Sequence, residues 1–180
     1  QRLVIDIGGR STELVLGHGL EATETASFRV GSVAWSMKYF PTGEFTEQAF
    51  YKAEIAAQAV LEEALSTYPR HLWNKAYGAS GTVGAVADIL ALSGFPEGEI
   101  SMDGLTWLVK CLVRAGQANK VLLEGLKDDR RAVIGGGVSV LRALMTLLEV
   151  STVHVAHGAL RHGVLFDMVD REDHDTDTRD

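Results

Sequence analysis

The chain has 180 residues, 46% hydrophobic and 23% charged, with a formal net charge of −7 and one cysteine. It is long enough to bury one full core, and its composition is that of an ordinary globular protein. The acidic balance argues against non-specific binding to nucleic acid or an anionic membrane. No apolar run reaches the ~18 residues of a membrane helix, and Cys111 alone excludes an internal disulfide, as a cytoplasmic protein would.

Residues 2–7 and 12–17 read as a strand pair, with GHG at 17–19 as the following turn. Residues 24–31 alternate Thr25, Ser27 and Arg29 with Ala26, Phe28 and Val30, the period of a third strand. A long helix is predicted over Thr46–Thr67, capped by Thr46, stopped by Pro69 and buried along Phe50, Ile55, Ala59 and Leu65. Residues 75–79 read as a strand, Val83 to about Leu92 as an apolar helix and 94–99 as a loop. Helices are predicted over 105–114 and 120–126, a strand over 131–134, a GGG turn at 135–137 and a helix over 138–148. A strand at 152–156 and a helix at 159–168 close the series. A three-strand meander feeding α and β units implies a mixed five- or six-stranded sheet with helices on both faces.

Three glycine turns carry the chemistry. In IDIGGRSTE, residues 5–13, Gly8 and Gly9 leave backbone N–H groups bare while Ser11 and Thr12 add hydroxyl donors, a set suited to phosphate. Asp6 and Glu13 would repel a bare anion, so a divalent cation is expected between carboxylates and phosphate. The same stretch also reads as a plain glycine hairpin. YGASGTV, residues 77–83, ends a strand in glycine and starts a helix with Ser80 or Thr82 in capping position, which aims amides outward; Ser80, Gly81 and Thr82 join the phosphate set. IGGGVS, residues 134–139, repeats that junction through Gly136, or serves close packing alone. Turns of this kind gather at one sheet edge, where α/β proteins bind ligands.

Other chemistry-bearing residues read as structural. The strand-to-helix break between His154 and His157 spoils a shared metal face, and Cys111 reads as core. Arg130 and Arg131 read as solvent-exposed rather than as phosphate contacts.

DIGGRSTEL, YGASGTV, DRRAVIGGGVSVL and HGALRHGVLFDM, in that order and spacing, resemble the second domain of the exopolyphosphatase and guanosine pentaphosphate phosphohydrolase (Ppx/GppA) family. The resemblance spans nearly the whole chain and implies an α/β domain of the actin-like (ribonuclease H-like) superfamily over 1–168. It implies removal of terminal phosphate from polyphosphate or pppGpp, with magnesium, in a cleft between two such domains. Asp6 and Glu13 would then work around the metal and the attacking water. Gly8, Gly9, Ser11 and Thr12 would hold phosphate. Arg10 stands where the family has a third glycine, and Ala34 where an arginine is expected; Arg10 is therefore added to the phosphate set. The family's first domain carries the other phosphate loop and the presumed general base, so this stretch alone is expected to be inactive. Gln1 leads straight into a strand and residues 169–180 read as a linker toward a helical domain, so a piece of a longer protein is expected. The resemblance leaves a homodimer open. The rival readings are an ATP-binding actin, Hsp70 or sugar-kinase type domain, and a nucleotide-binding regulator without chemistry.

Overall fold

A computed structural model describes residues 1–18 and 21–156. Six strands form one sheet in the order β3-β2-β1-β4-β6-β5. They are β1 (Arg2–Ile7), β2 (Thr12–His18), β3 (Glu21–Phe28), β4 (Lys75–Ala79), β5 (Glu99–Ser101) and β6 (Thr152–Val155). The meander β1–β2–β3 is antiparallel, β1 runs parallel to β4 and β4 to β6, and β5 pairs antiparallel with β6. The mixed six-stranded sheet expected from the element order is present. Seven described helices accompany it: α1 (Ser32–Tyr39), α2 (Glu47–Leu61), α3 (Ala64–Thr67), α4 (Gly81–Leu92), α5 (Met102–Ala115), α6 (Asp128–Arg131) and α7 (Ile134–Leu147). Among them none is long and apolar enough to cross a membrane.

The core joins Leu3, Ile5, Ile7, Ala76 and Val153 of the sheet to the helices, while Tyr77, Ala79 and Ala156 form a small separate cluster. Helix starts follow side-chain caps. Thr46 accepts from the Ala49 amide, Ser80 from Val83 and Ser101 from Gly104, each satisfying a donor that a helix start leaves bare. Gly116, at φ +77°, ends α5 in the left-handed region where a side chain is strained.

Several expectations are corrected. The helix expected over Thr46–Thr67 breaks after Leu61, and its buried stripe is Phe50, Ala53, Ala57 and Leu61; Ile55, Ala59 and Leu65 are exposed. The third strand ends at Phe28, short of Arg29 and Val30. Cys111 is half-buried, with its thiol pKa pushed up by burial, rather than fully in the core. Beyond a 3-10 turn at Ala118–Lys120, no helix forms over 121–126. Gly125 sits at φ +89°, and Arg131 Nη1 donates to the Ala118 and Val121 carbonyls, holding that segment as a loop. No strand forms over 131–134, because β6 already occupies the parallel position beside β4. The segment instead follows the helical turn of α6, where Asp128 and Arg131 pair at 3.1 Å. The HxxH pair is only half visible: His154 rests against the Tyr77 ring at 5.7 Å, whereas His157 and the helix expected at 159–168 lie outside the described residues.

The largest correction concerns Gly135–Gly137. They lie in the first turn of α7, not in a strand-to-helix turn. Gly136 donates its amide to Ser36 Oγ at 3.0 Å, and a Cβ there would overlap the Ser32 carbonyl and the Ser36 amide of α1. Gly136 is therefore a packing residue with its N–H already used, and it leaves the phosphate set. Gly135, by contrast, faces the rings of Phe40 and Phe45, which can shift.

Gly136→Ala should lower the urea midpoint by the equivalent of about 1–3 kcal/mol, the usual range for overpacking a close contact. Gly135→Ala should lose less. Equal losses, or none, would show that α1 and α7 do not depend on that contact.

Candidate active site

Because β1 and β4 are parallel neighbours, with Asp6 beside Ala79, their carboxyl ends place two loops next to each other. The β1–β2 turn closes through the Gly8 amide, which donates to the Ser11 carbonyl at 2.9 Å. Its own carbonyls point the other way. Gly8 O accepts from Ser32, and Gly9 O accepts from Val33 and Ala34, so the turn itself caps α1. Gly31, just before α1, must be glycine, since a Cβ would overlap Gly9 and the Arg10 amide.

Asp6 and Glu13 are directly opposite on β1 and β2, one half-buried and the other exposed. Burial, then the Glu13 charge, pushes the Asp6 carboxyl above the usual carboxylate range. Like charges directly across a strand pair repel, and an intervening cation relieves that. A magnesium ion fits such a place, because it takes one or two carboxylates and leaves the rest of its shell to water and phosphate oxygens. Among the described residues no group of three or more His, Cys, Asp or Glu gathers as an all-protein cage.

Facing Asp6 across a cavity of about 350 Å³ is the start of α4, with Ser80, Gly81 and Thr82. Ser80 is strained, with φ 138° and ψ 168°, a region that side chains rarely enter. The strain turns the chain sharply out of β4 while Ser80 Oγ still caps α4. The amides at the head of this 12-residue helix form the positive end of its dipole. Arg130 completes the wall: its guanidinium occupies the space a Cβ on Gly81 would need.

Six of the residues singled out from the sequence line this cavity together: Asp6, Gly8, Gly9, Ser80, Gly81 and Thr82. Glu13 stands beside them through Asp6. Arg10 is exposed and does not line the cavity, nor does Ser11. Thr12 is fully buried and donates its hydroxyl to the Val30 carbonyl at 2.7 Å, which removes it from the phosphate donors. Arg130 was missed because it was read on the approach to a strand. On the one-turn helix α6, Arg131 turns toward loop carbonyls and Arg130 toward the cavity. Ser32 and Val33, also in the wall, were missed with α1.

A sequence profile of the Ppx/GppA phosphatase family matches residues 1–172. The chain belongs to that family. It is 38% identical over 179 residues to a guanosine-5'-triphosphate,3'-diphosphate pyrophosphatase of Aeromonas hydrophila, covering 99% of this chain and 36% of the relative. A protein of the same name from Vibrio cholerae is 37% identical, over 94% of this chain and 34% of its own length. The chain thus spans about a third of the length of these curated relatives. The Aquifex aeolicus PPX-GPPA enzyme superposes with a TM-score of 0.75 at 22% identity, over 92% of this chain and 56% of the other. An exopolyphosphatase from Cytophaga hutchinsonii gives 0.70 at 22%, over 94% and 57%. These solved structures bear out the actin-like fold.

The strain at Ser80 has a measurable consequence. Ser80→Ala loses the cap, typically about 0.5–2 kcal/mol, and keeps the unfavourable backbone. Ser80→Gly loses the same cap but relaxes a strain of about 1–3 kcal/mol. The melting temperature of Ser80→Gly should therefore lie above that of Ser80→Ala. The reverse order would mean the backbone at 80 is unstrained.

Proposed function

We propose that the full-length protein is a phosphohydrolase that removes a terminal phosphate from pppGpp, inorganic polyphosphate or both. The carrying observation is that Asp6, paired across the strands with Glu13, lines one small cavity together with Arg130 and the head of α4. A terminal phosphoryl group in this cavity meets a guanidinium and helix amides in one wall. Charge that spreads over its oxygens during transfer is stabilised by groups already in place, so little reorganisation is needed. Val33 and Val133 make part of the wall apolar and help exclude water.

On the other side, Asp6 and Glu13 would hold magnesium, which when bound neutralises phosphate charge and polarises the attacking water. Burial and the Glu13 charge hold the Asp6 carboxyl above its usual range, and a cation nearby would favour its ionised form. The family resemblance implies that the general base and a second phosphate loop come from another domain. The names of the relatives support pppGpp as a substrate, and a lone cysteine is in keeping with a cytoplasmic protein.

In the full-length protein with magnesium, Asp6→Asn and Glu13→Gln should each lower kcat by about 10²-fold or more, the usual loss for one transition-state electrostatic group. Arg130→Met should lower kcat/KM by about the same factor. Far-UV circular dichroism should not change, and a chelator should abolish phosphate release. Near-wild-type turnover in all three variants would refute this assignment.

A further inference from the structure

α6 carries Arg130 into the cavity wall, yet one turn of helix does not hold a direction by itself. Four residues do not repay the cost of nucleating a helix, and Lys127 before them supplies no side-chain cap. Among the described residues no hydrogen bond or ion pair restrains the Arg130 guanidinium. What holds α6 is the next residue. Arg131 Nη1 donates to the Val121 carbonyl at 2.6 Å and to the Ala118 carbonyl at 3.2 Å, while its Nε donates to Asp128 at 3.1 Å. The Asp128 side chain is 98% exposed, so that ion pair is weak and the carbonyl bonds dominate.

Those carbonyls are anchored in turn. The Ala118 amide donates to Gly43 at 2.8 Å, the Phe45 amide donates to Gly116 at 2.9 Å, and Val121 is buried. Arg131 therefore ties α6 to a segment fastened to the loop between α1 and α2, none of which lines the cavity. Successive residues on a helix point about 100° apart, so the direction of Arg131 sets that of Arg130. We propose that Arg131 is a positioning residue: through the Ala118 and Val121 carbonyls it orients α6 so that Arg130 faces the phosphate cavity. It lines no part of that cavity itself. A lysine at 131 keeps a point donor for one carbonyl but lacks the fork that grips two carbonyls and Asp128 together. The proposal rests on the phosphohydrolase reading for what Arg130 does, but not for how Arg130 is held.

Two measurements on the full-length protein test this. The first is kcat/KM for pppGpp hydrolysis with magnesium, in a double-mutant cycle of Arg130→Met and Arg131→Met. Arg131→Met should lower kcat/KM by about tenfold or more, because a small misplacement of a binding group is costly. In the Arg130→Met background the same change should cost less than about twofold, since nothing is left to position. Arg131→Lys should restore part of the loss. The second measurement is nuclear magnetic relaxation of the Arg130 Nε–H in protein with isotope-labelled arginine, its signal assigned by its disappearance in Arg130→Met. That group should be ordered in the wild type and mobile in Arg131→Met. Equal losses in the two backgrounds, with a lowered melting temperature, would show that Arg131 only stabilises its loop and would overturn the proposal. So would normal kcat/KM in Arg131→Met beside an impaired Arg130→Met, or an Arg130 signal that Arg131→Met leaves as ordered as before. If Arg130→Met turns over normally while Arg131→Met still frees the Arg130 signal, the assignment of Arg130 to phosphate fails and the positioning stands.

Discussion

The site depends on how the β1–β2 turn is held from beneath. A turn of two glycines between strands is loose on its own, because glycine gives up more conformational entropy on ordering than other residues do. Here the carbonyls of Gly8 and Gly9 are the acceptors for the first three amides of α1. Those amides are donors that a helix start must satisfy, and Gly31 supplies no side chain to do so. Loop and helix therefore complete each other. With its carbonyls drawn toward α1, the turn brings the start of that helix into the cavity wall beside Asp6.

The same economy continues into α7. α1 can lie close under the turn because Gly136 lets α7 approach it almost backbone to backbone, and Gly137 lies against Thr82 of α4. A contiguous path of close contacts thus links the β1–β2 turn, α1, α7 and the head of α4. The two halves of the site, one on each loop, are joined through this path and through the β1–β4 ladder. Close-packed interiors leave little room for independent displacement, so the placement of the β1–β2 turn relative to the head of α4 depends on packing remote from the cavity.

This arrangement explains which parts were legible. The strands of the meander, β4 and the capped helices α2, α4 and α5 were readable because alternation and Ser or Thr caps are local signals. The carboxylate pair and the SGT junction were readable for the same reason: their chemistry sits in adjacent positions. α1 was not, since its cap consists of carbonyls more than twenty residues away. The glycines of α7 were misread because a helix interior rarely carries three; only the approach of α1 makes them favourable there. Thr12 looked like a phosphate donor until the register of β2 turned its side chain inward to the Val30 carbonyl. Arg130 depended on α6, a single turn whose direction no period of the sequence encodes.

Charge completes the reasoning. A chain with a net charge of −7 offers a polyanion no long-range attraction. Selectivity must then come from short-range groups, and these are unevenly distributed. In the smaller cavity one guanidinium and a helix terminus share the wall with Asp6, which is paired with Glu13 across the strands. A larger cavity, of about 1000 Å³, adjoins it and is lined along α4 by Ala87, Ala91 and Leu92. The boundary between them is Ser80 and Gly81, where the backbone is strained and the Arg130 guanidinium takes the space beside the Gly81 α-carbon. A strained residue persists only where its surroundings over-determine it. Here they do so from both sides: the Ser80 cap fixes α4, and Arg130 needs the bare α-carbon next to it. The strain therefore lies at the boundary that the two cavities share.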